Sequence, residues 1–123
     1  MKFNNPILTA NGKARAFVEA KKLKTLWFNT GTLCNLTCKN CYIESSPIND
    51  RLSYLSFDEY LKFMNEVKED GLKLLEIGFT GGEPFLNKDF PKMLNHSVQQ
   101  GVEVLVLTNA MKPMLNNRSK IIN

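Results

Sequence analysis

Residues 74–108 read LLEIGFTGGEPFLNKDFPKMLNHSVQQGVEVLVLT. Two β-rich aliphatic runs, residues 74–80 and 102–108, bracket a segment with helical spacing. The first run stops at Gly81-Gly82-Glu83-Pro84. Pro91, Met93, Leu94 and Val98 then predict a helix over about residues 89–100, closed by Gly101. The second run is continuously aliphatic, the pattern of a parallel strand covered on both faces. Strand, helix and strand in that order imply a right-handed crossover and a parallel sheet.

The same alternation extends upstream. Ser56-Phe57-Asp58-Glu59 fits a capping box. Phe57, Tyr60, Leu61, Met64 and Val67 follow at helical spacing, and Gly71 supplies the stop. Residues 25–30, TLWFNT, read as a short buried strand, with Trp27 and Phe28 in the core. The segment between them, residues 31–55, has no regular period, and a loop of that length in a small domain is usually functional or disordered. The order is therefore β-α-β-α-β, an α/β fold with a parallel sheet. Residues 1–24 form a poorly defined leader with one short helix expected over about 12–24. Residues 25–110 form the core, and residues 111–123 a truncated tail with Pro113 and a weak apolar pattern. Three strands leave an exposed edge at the third or the first, and the chain reads as a piece of something larger.

Composition narrows the class. The chain has 123 residues, 43% apolar and 23% charged, the usage of one ordinary globular domain. That excludes a disordered tail, a fibre and a coiled coil. No apolar run reaches the length of a membrane span, and residues 1–10 lack the sustained apolar stretch of a secretory signal. The expected location is cytoplasmic. Sixteen basic against 12 acidic residues leave a net charge of +4. Lys13, Arg15, Lys21, Lys22 and Lys24 crowd the leader without interleaved aromatics, so they read as a solvated stretch and not as a nucleic-acid or membrane surface.

The three cysteines carry the chemistry. Cys34, Cys38 and Cys41 make a C-x3-C-x2-C cluster directly after the first strand. An odd, clustered set is not a secreted disulfide framework. Ligands gather at the carboxyl ends of parallel strands, and thiolates suit iron–sulfur clusters or zinc. Three ligands do not close a tetrahedral zinc site. A zinc-binding interaction domain needs a fourth ligand, and the sole histidine is His96. Three thiolates on a cubane cluster instead leave one iron open, as a catalytic centre requires. Metal-free thiols are the bland alternative. At the second strand end, Gly81 and Gly82 let a backbone approach a ligand or take a positive φ, Pro84 fixes the exit of the turn, and the Glu83 carboxylate can accept from an ammonium group. A solvated acid at a helix start is the plain alternative for Glu83. G-x-G-x-x-G and the phosphate-loop pattern are absent from the sequence.

C-x3-C-x2-C after a first strand and Gly-Gly-Glu-Pro after a second together resemble the radical S-adenosylmethionine (SAM) enzymes, over about residues 25–110. The resemblance implies a partial, half TIM-like barrel. It implies a [4Fe–4S] cluster on Cys34, Cys38 and Cys41, with SAM chelating the open iron. Gly81, Gly82, Glu83 and Pro84 match the stretch that holds the methionine amino group. In the family, one electron from the cluster cleaves SAM to methionine and a 5′-deoxyadenosyl radical, which takes a hydrogen atom from the substrate. An electron donor such as a flavodoxin or ferredoxin is implied. A complementary chain or a second copy is expected to cover the half-barrel. The residue before the third cysteine, often aromatic in the family, is Asn40 here, and the aromatic follows as Tyr42. Tyr42 is thus an adenine-contact candidate or a core tyrosine, and Asn109 a cofactor contact or a turn residue. A non-catalytic electron-transfer module and an inactive fragment remain open beside the enzyme reading. His96 otherwise reads as a half-buried helix residue, and Met64, Met93, Met111 and Met114 as gap-fillers.

Overall fold

The computed structural model describes residues 4–19 and 21–121. Residues 1–3, 20, 122 and 123 belong to the leader and the tail and lie outside the described residues. Strand β1 (Thr25–Asn29), helix α1 (Phe57–Glu69), strand β2 (Glu76–Thr80), helix α2 (Phe90–Gln99) and strand β3 (Glu103–Val106) follow in the expected order. The strands form one parallel sheet in the order β1-β2-β3. Leu26, Ile77 and Val104 share one register row, Trp27, Gly78 and Leu105 the next.

The rows alternate between faces, and the two faces differ. Phe28, Ile77 and Phe79 point to the helices and are buried with Tyr60 of α1 and Phe90, Met93 and Leu94 of α2. Full burial of such a side chain contributes about 1.5–3 kcal/mol, so this one cluster carries most of the fold. Phe79 meets Phe90 edge-on at 5.1 Å, and Phe28 meets Tyr60 at 5.0 Å. The Tyr60 hydroxyl stays satisfied in this core through Ser97 Oγ at 2.8 Å and His96 Nδ1 at 2.9 Å. Burial pushes its phenol above the usual value.

The opposite face is open, which corrects two expectations. Trp27 is 45% exposed and lies across Gly78 instead of joining the core. Period-two alternation sends Trp27 and Phe28 to opposite sides. β3 is not covered on both faces: Leu105 is 42% exposed, while Val104 and Val106 are half-buried on the helix side. Among the described residues, helices lie on one side of this strand only.

α1 starts as read. Ser56 Oγ accepts from Glu59 N–H, and the Glu59 carboxylate accepts from Ser56 N–H, closing the capping box. The helix expected over residues 12–24 is absent among the described residues. Leu8 and Ala14 pair in an antiparallel bridge around a turn at Gly12, which commits those backbone groups elsewhere. Past β3, the tail holds two short helices that its weak pattern does not predict, α3 (Lys112–Asn116) and α4 (Arg118–Ile121).

Candidate metal centre

The two motifs meet where β1 and β2 end side by side. Pairing continues past the strands: Thr30 N–H donates to Thr80 O at 2.8 Å, Gly82 N–H to Gly31 O at 2.8 Å, and Glu83 N–H to Leu33 O at 3.0 Å. The cysteine loop is therefore laced at its root to the Gly-Gly-Glu-Pro turn. This lacing is why the turn needs glycine. Gly81 has φ +143°, and a Cβ there would sit 2.7 Å from Gly31 O. A Cβ on Gly82 would overlap Leu33 O. The close approach that two glycines permit is made first by the neighbouring loop.

Cys34 is buried and its N–H donates to Ser46 O at 3.1 Å, which closes the loop behind it. Cys38 is exposed, and Cys41 is intermediate. A tight turn links them, with Cys41 N–H on Cys38 O at 3.2 Å and Glu44 N–H on Cys41 O at 3.1 Å. Ser45 N–H donates to Cys41 Sγ at 3.3 Å. The backbone N–H of Ser45, and then that of Ile43, hold the Cys41 thiol below its ordinary value. The loop thus favours the thiolate, the form that binds metal. Ser45 is buried beside it, and its hydroxyl adds to the lowering of the Cys41 thiol. Tyr42 is 74% exposed, so it is no core tyrosine; its hydroxyl reaches Thr80 Oγ1 at 3.3 Å across the end of β2.

Glu83 is 1% exposed, which corrects the picture of a solvated acid. It does stand at a helix start, the single turn Pro84–Leu86, where Oε1 accepts from Phe85 N–H at 3.1 Å. Its remaining contacts cross to the end of β3. Thr108 Oγ1 lies 2.8 and 2.9 Å from the two carboxylate oxygens, and Asn109 N–H donates to Oε2 at 2.9 Å. A buried carboxylate is tolerated only with donors of this kind. Glu83 is therefore a clamp between the turn after β2 and the end of β3. Thr108 is the site residue that sequence reading passed over. Asn109 does come to the site: Nδ2 donates to Asn35 Oδ1 at 3.0 Å and lies 3.8 Å from Cys34 Sγ. It is a turn residue as well, since Oδ1 accepts from Met111 N–H at 3.1 Å.

Among the described residues, no three His, Cys, Asp or Glu side chains form a ready site for a metal ion. The zinc reading needs His96, and that fails. Both His96 ring nitrogens face other groups, Tyr60 Oη at 2.9 Å and Gln100 Nε2 at 3.4 Å. His96 lines a cleft with Leu74 and Val102, at the start of β2 and β3, whereas the cysteines follow the end of β1. Three free thiols on one loop, one biased to thiolate, fit a three-thiolate cluster.

A family model described as the radical SAM superfamily matches residues 28–121. The chain belongs to the radical SAM superfamily. A protein of Selenomonas ruminantium described as an S-adenosylmethionine-dependent nucleotide dehydratase is 33% identical over 76 residues, covering 62% of this chain and 26% of that protein. The antilisterial bacteriocin subtilosin biosynthesis protein AlbA of Bacillus subtilis is 36% identical over 76 residues, covering 62% of this chain and 16% of that protein. The crystal structure of Streptococcus suis SuiB bound to S-adenosylmethionine superposes with a TM-score of 0.60 at 20% identity, covering 74% of this chain and 20% of that chain. The shared fold is thus a partial radical SAM α/β unit. This chain spans about a quarter or less of the length of these radical SAM relatives. Among the described residues, no helix is long and apolar enough to cross a membrane.

Proposed function

We propose that this chain is the cluster-bearing part of a radical SAM enzyme, holding a [4Fe–4S] cluster on Cys34, Cys38 and Cys41 and SAM beside it. One observation carries the reading: the three-cysteine loop is laced to the Gly-Gly-Glu-Pro turn at the carboxyl ends of parallel strands. When bound, the cluster supplies the electron that cleaves SAM to methionine and a 5′-deoxyadenosyl radical, which abstracts hydrogen from the substrate. The chain's own part is to bind and orient. The backbone of Gly81 and Gly82 faces the methionine amino group, Pro84 fixes the exit of that turn, and Glu83 keeps the backbone in place. In this reading the ring of Tyr42 lies against adenine, a role that its exposure and its contact with Thr80 support.

The reading brings partners with it. A flavodoxin or ferredoxin supplies the electron. A complementary chain or a second copy covers the open face around Trp27 and Leu105. A cytosolic location belongs to the same reading, and the clustered cysteines support it.

The test is anaerobic reconstitution with iron and sulfide, then low-temperature electron paramagnetic resonance of the reduced protein with and without SAM. About four irons and four sulfides per chain are expected, with a signal that SAM changes. Bound zinc and no sulfide overturn the cluster assignment. A cluster whose signal ignores SAM supports the non-catalytic electron-transfer alternative.

A further inference from the structure

Two of the three cysteine sulfurs already face a donor from this chain. Cys41 Sγ accepts from the backbone of Ser45, four residues away on the same loop. Cys34 Sγ faces Asn109 Nδ2 at 3.8 Å, from the far end of β3. The second donor is a side chain, so nothing in the loop itself guarantees it.

Three contacts fix that amide. Asn109 N–H is anchored on Glu83 Oε2 at 2.9 Å. Asn109 Oδ1 accepts from Met111 N–H at 3.1 Å, which assigns oxygen and nitrogen on the side chain. Asn35 Oδ1 accepts from Nδ2 at 3.0 Å and leaves the amide turned toward Cys34. Behind the anchor, Glu83 is buried and held by Thr108 Oγ1. A mere turn asparagine needs the contact to Met111 and none of the others.

Hydrogen bonds to cluster sulfurs are among the levers that set an iron–sulfur reduction potential. The added electron makes the thiolate sulfur a stronger acceptor, so a donor there stabilises the reduced state more than the oxidised one. We propose that Asn109 tunes the cluster: its side-chain amide donates to the Cys34 sulfur, and Glu83 holds it there, making one-electron reduction easier. Asn109 acts through Cys34 and is a positioning residue. The inference rests on the cluster assignment made under Proposed function.

The test uses the full chain, reconstituted anaerobically and titrated without SAM, with dithionite as the one-electron source and paramagnetic resonance as the readout. Asn109→Leu removes the donor at similar volume. Asn109→Asp keeps the shape and places a carboxylate where the amide was. The expected result is a lower midpoint potential for Asn109→Leu and a still lower one for Asn109→Asp, at unchanged iron content. If Asn109→Leu does not load, Asn109→Ala, which also lacks the donor and adds no charge, takes its place in the comparison. Equal potentials in wild type and variants overturn this inference and leave the cluster assignment standing. Loss of the cluster in both variants, with a normal apo fold, also overturns it, because Asn109 would then serve loading. A wild-type chain that takes up no iron–sulfur cluster overturns the assignment itself, and the tuning role with it.

Discussion

In the loop after β2, Glu83 and Asn87 turn inward to the chain. Both are buried; Glu83 holds Thr108 and Asn109, and Asn87 Nδ2 donates to Thr30 O at 3.1 Å and Leu55 O at 2.8 Å. In the loop after β1, Thr37, Cys38, Lys39, Asn40 and Tyr42 are exposed. The two loops touch at Gly31 and Leu33, yet one is finished and the other is open. Framework and binding surface are thus divided between neighbours. The turn whose motif names a ligand contact spends most of its polar groups on holding the site's shape.

The sharpest break comes from Gly82→Ala. Its Cβ would overlap Leu33 O, which is itself bonded to Glu83 N–H. A loss of about 3 kcal/mol in apo stability is expected by denaturant unfolding. A loss near zero would mean that the two loops are not laced together. Next is Glu83→Ala, which strands Thr108 Oγ1 and the N–H groups of Phe85 and Asn109. About 2 kcal/mol of apo stability should disappear, whereas a solvated acid would cost almost nothing.

The open loop should behave in the opposite way. Cys38→Ser and Tyr42→Phe alter exposed groups, and each should change apo unfolding by less than about 0.5 kcal/mol. Cys38→Ser should nevertheless abolish retention of the cluster, measured as iron after desalting. The smallest effect lies outside both loops. Asp89 is held below its ordinary value by the Phe57 N–H and then by Lys92, and Glu59 by the Ser56 N–H and then its hydroxyl. A depressed carboxylate adds stability that is present at neutral pH and lost as the pH falls through its folded value. An acid titration followed by circular dichroism should therefore show loss only below their ordinary values of 3.8 and 4.5, and Asp89→Asn should flatten its acid end.

Much of this was legible in the residues because the signals are local. The capping box at Ser56 and Glu59, the aliphatic runs of β1 to β3, and the spacing of Cys34, Cys38 and Cys41 each occupy a few adjacent positions. The parts that were not legible depend on distant contacts. A run such as Val104, Leu105 and Val106 does not say which face has a cover, and here the Leu105 side has none among the described residues. Thr108 meets Glu83 across 25 residues, with no spacing to announce it. Gly82 reads as room for a ligand, but the Leu33 carbonyl that demands it lies on the other loop. The start of the helix expected over residues 12–24 is taken up by the turn at Gly12 and the Leu8–Ala14 bridge, a pairing with no local signal.

Amide hydrogen exchange of the full chain, without metal and after anaerobic cluster loading, tests the division of labour most directly. The amides of Gly82, Glu83, Phe85 and Asn109 are already bonded and should be protected in both states. The amides of residues 36–40 and 42 should exchange quickly in the metal-free chain and slow by at least about tenfold on loading. If instead the Gly82–Phe85 amides exchange freely until the cluster is present, the turn after β2 is part of the binding element and its role as a preformed frame is wrong.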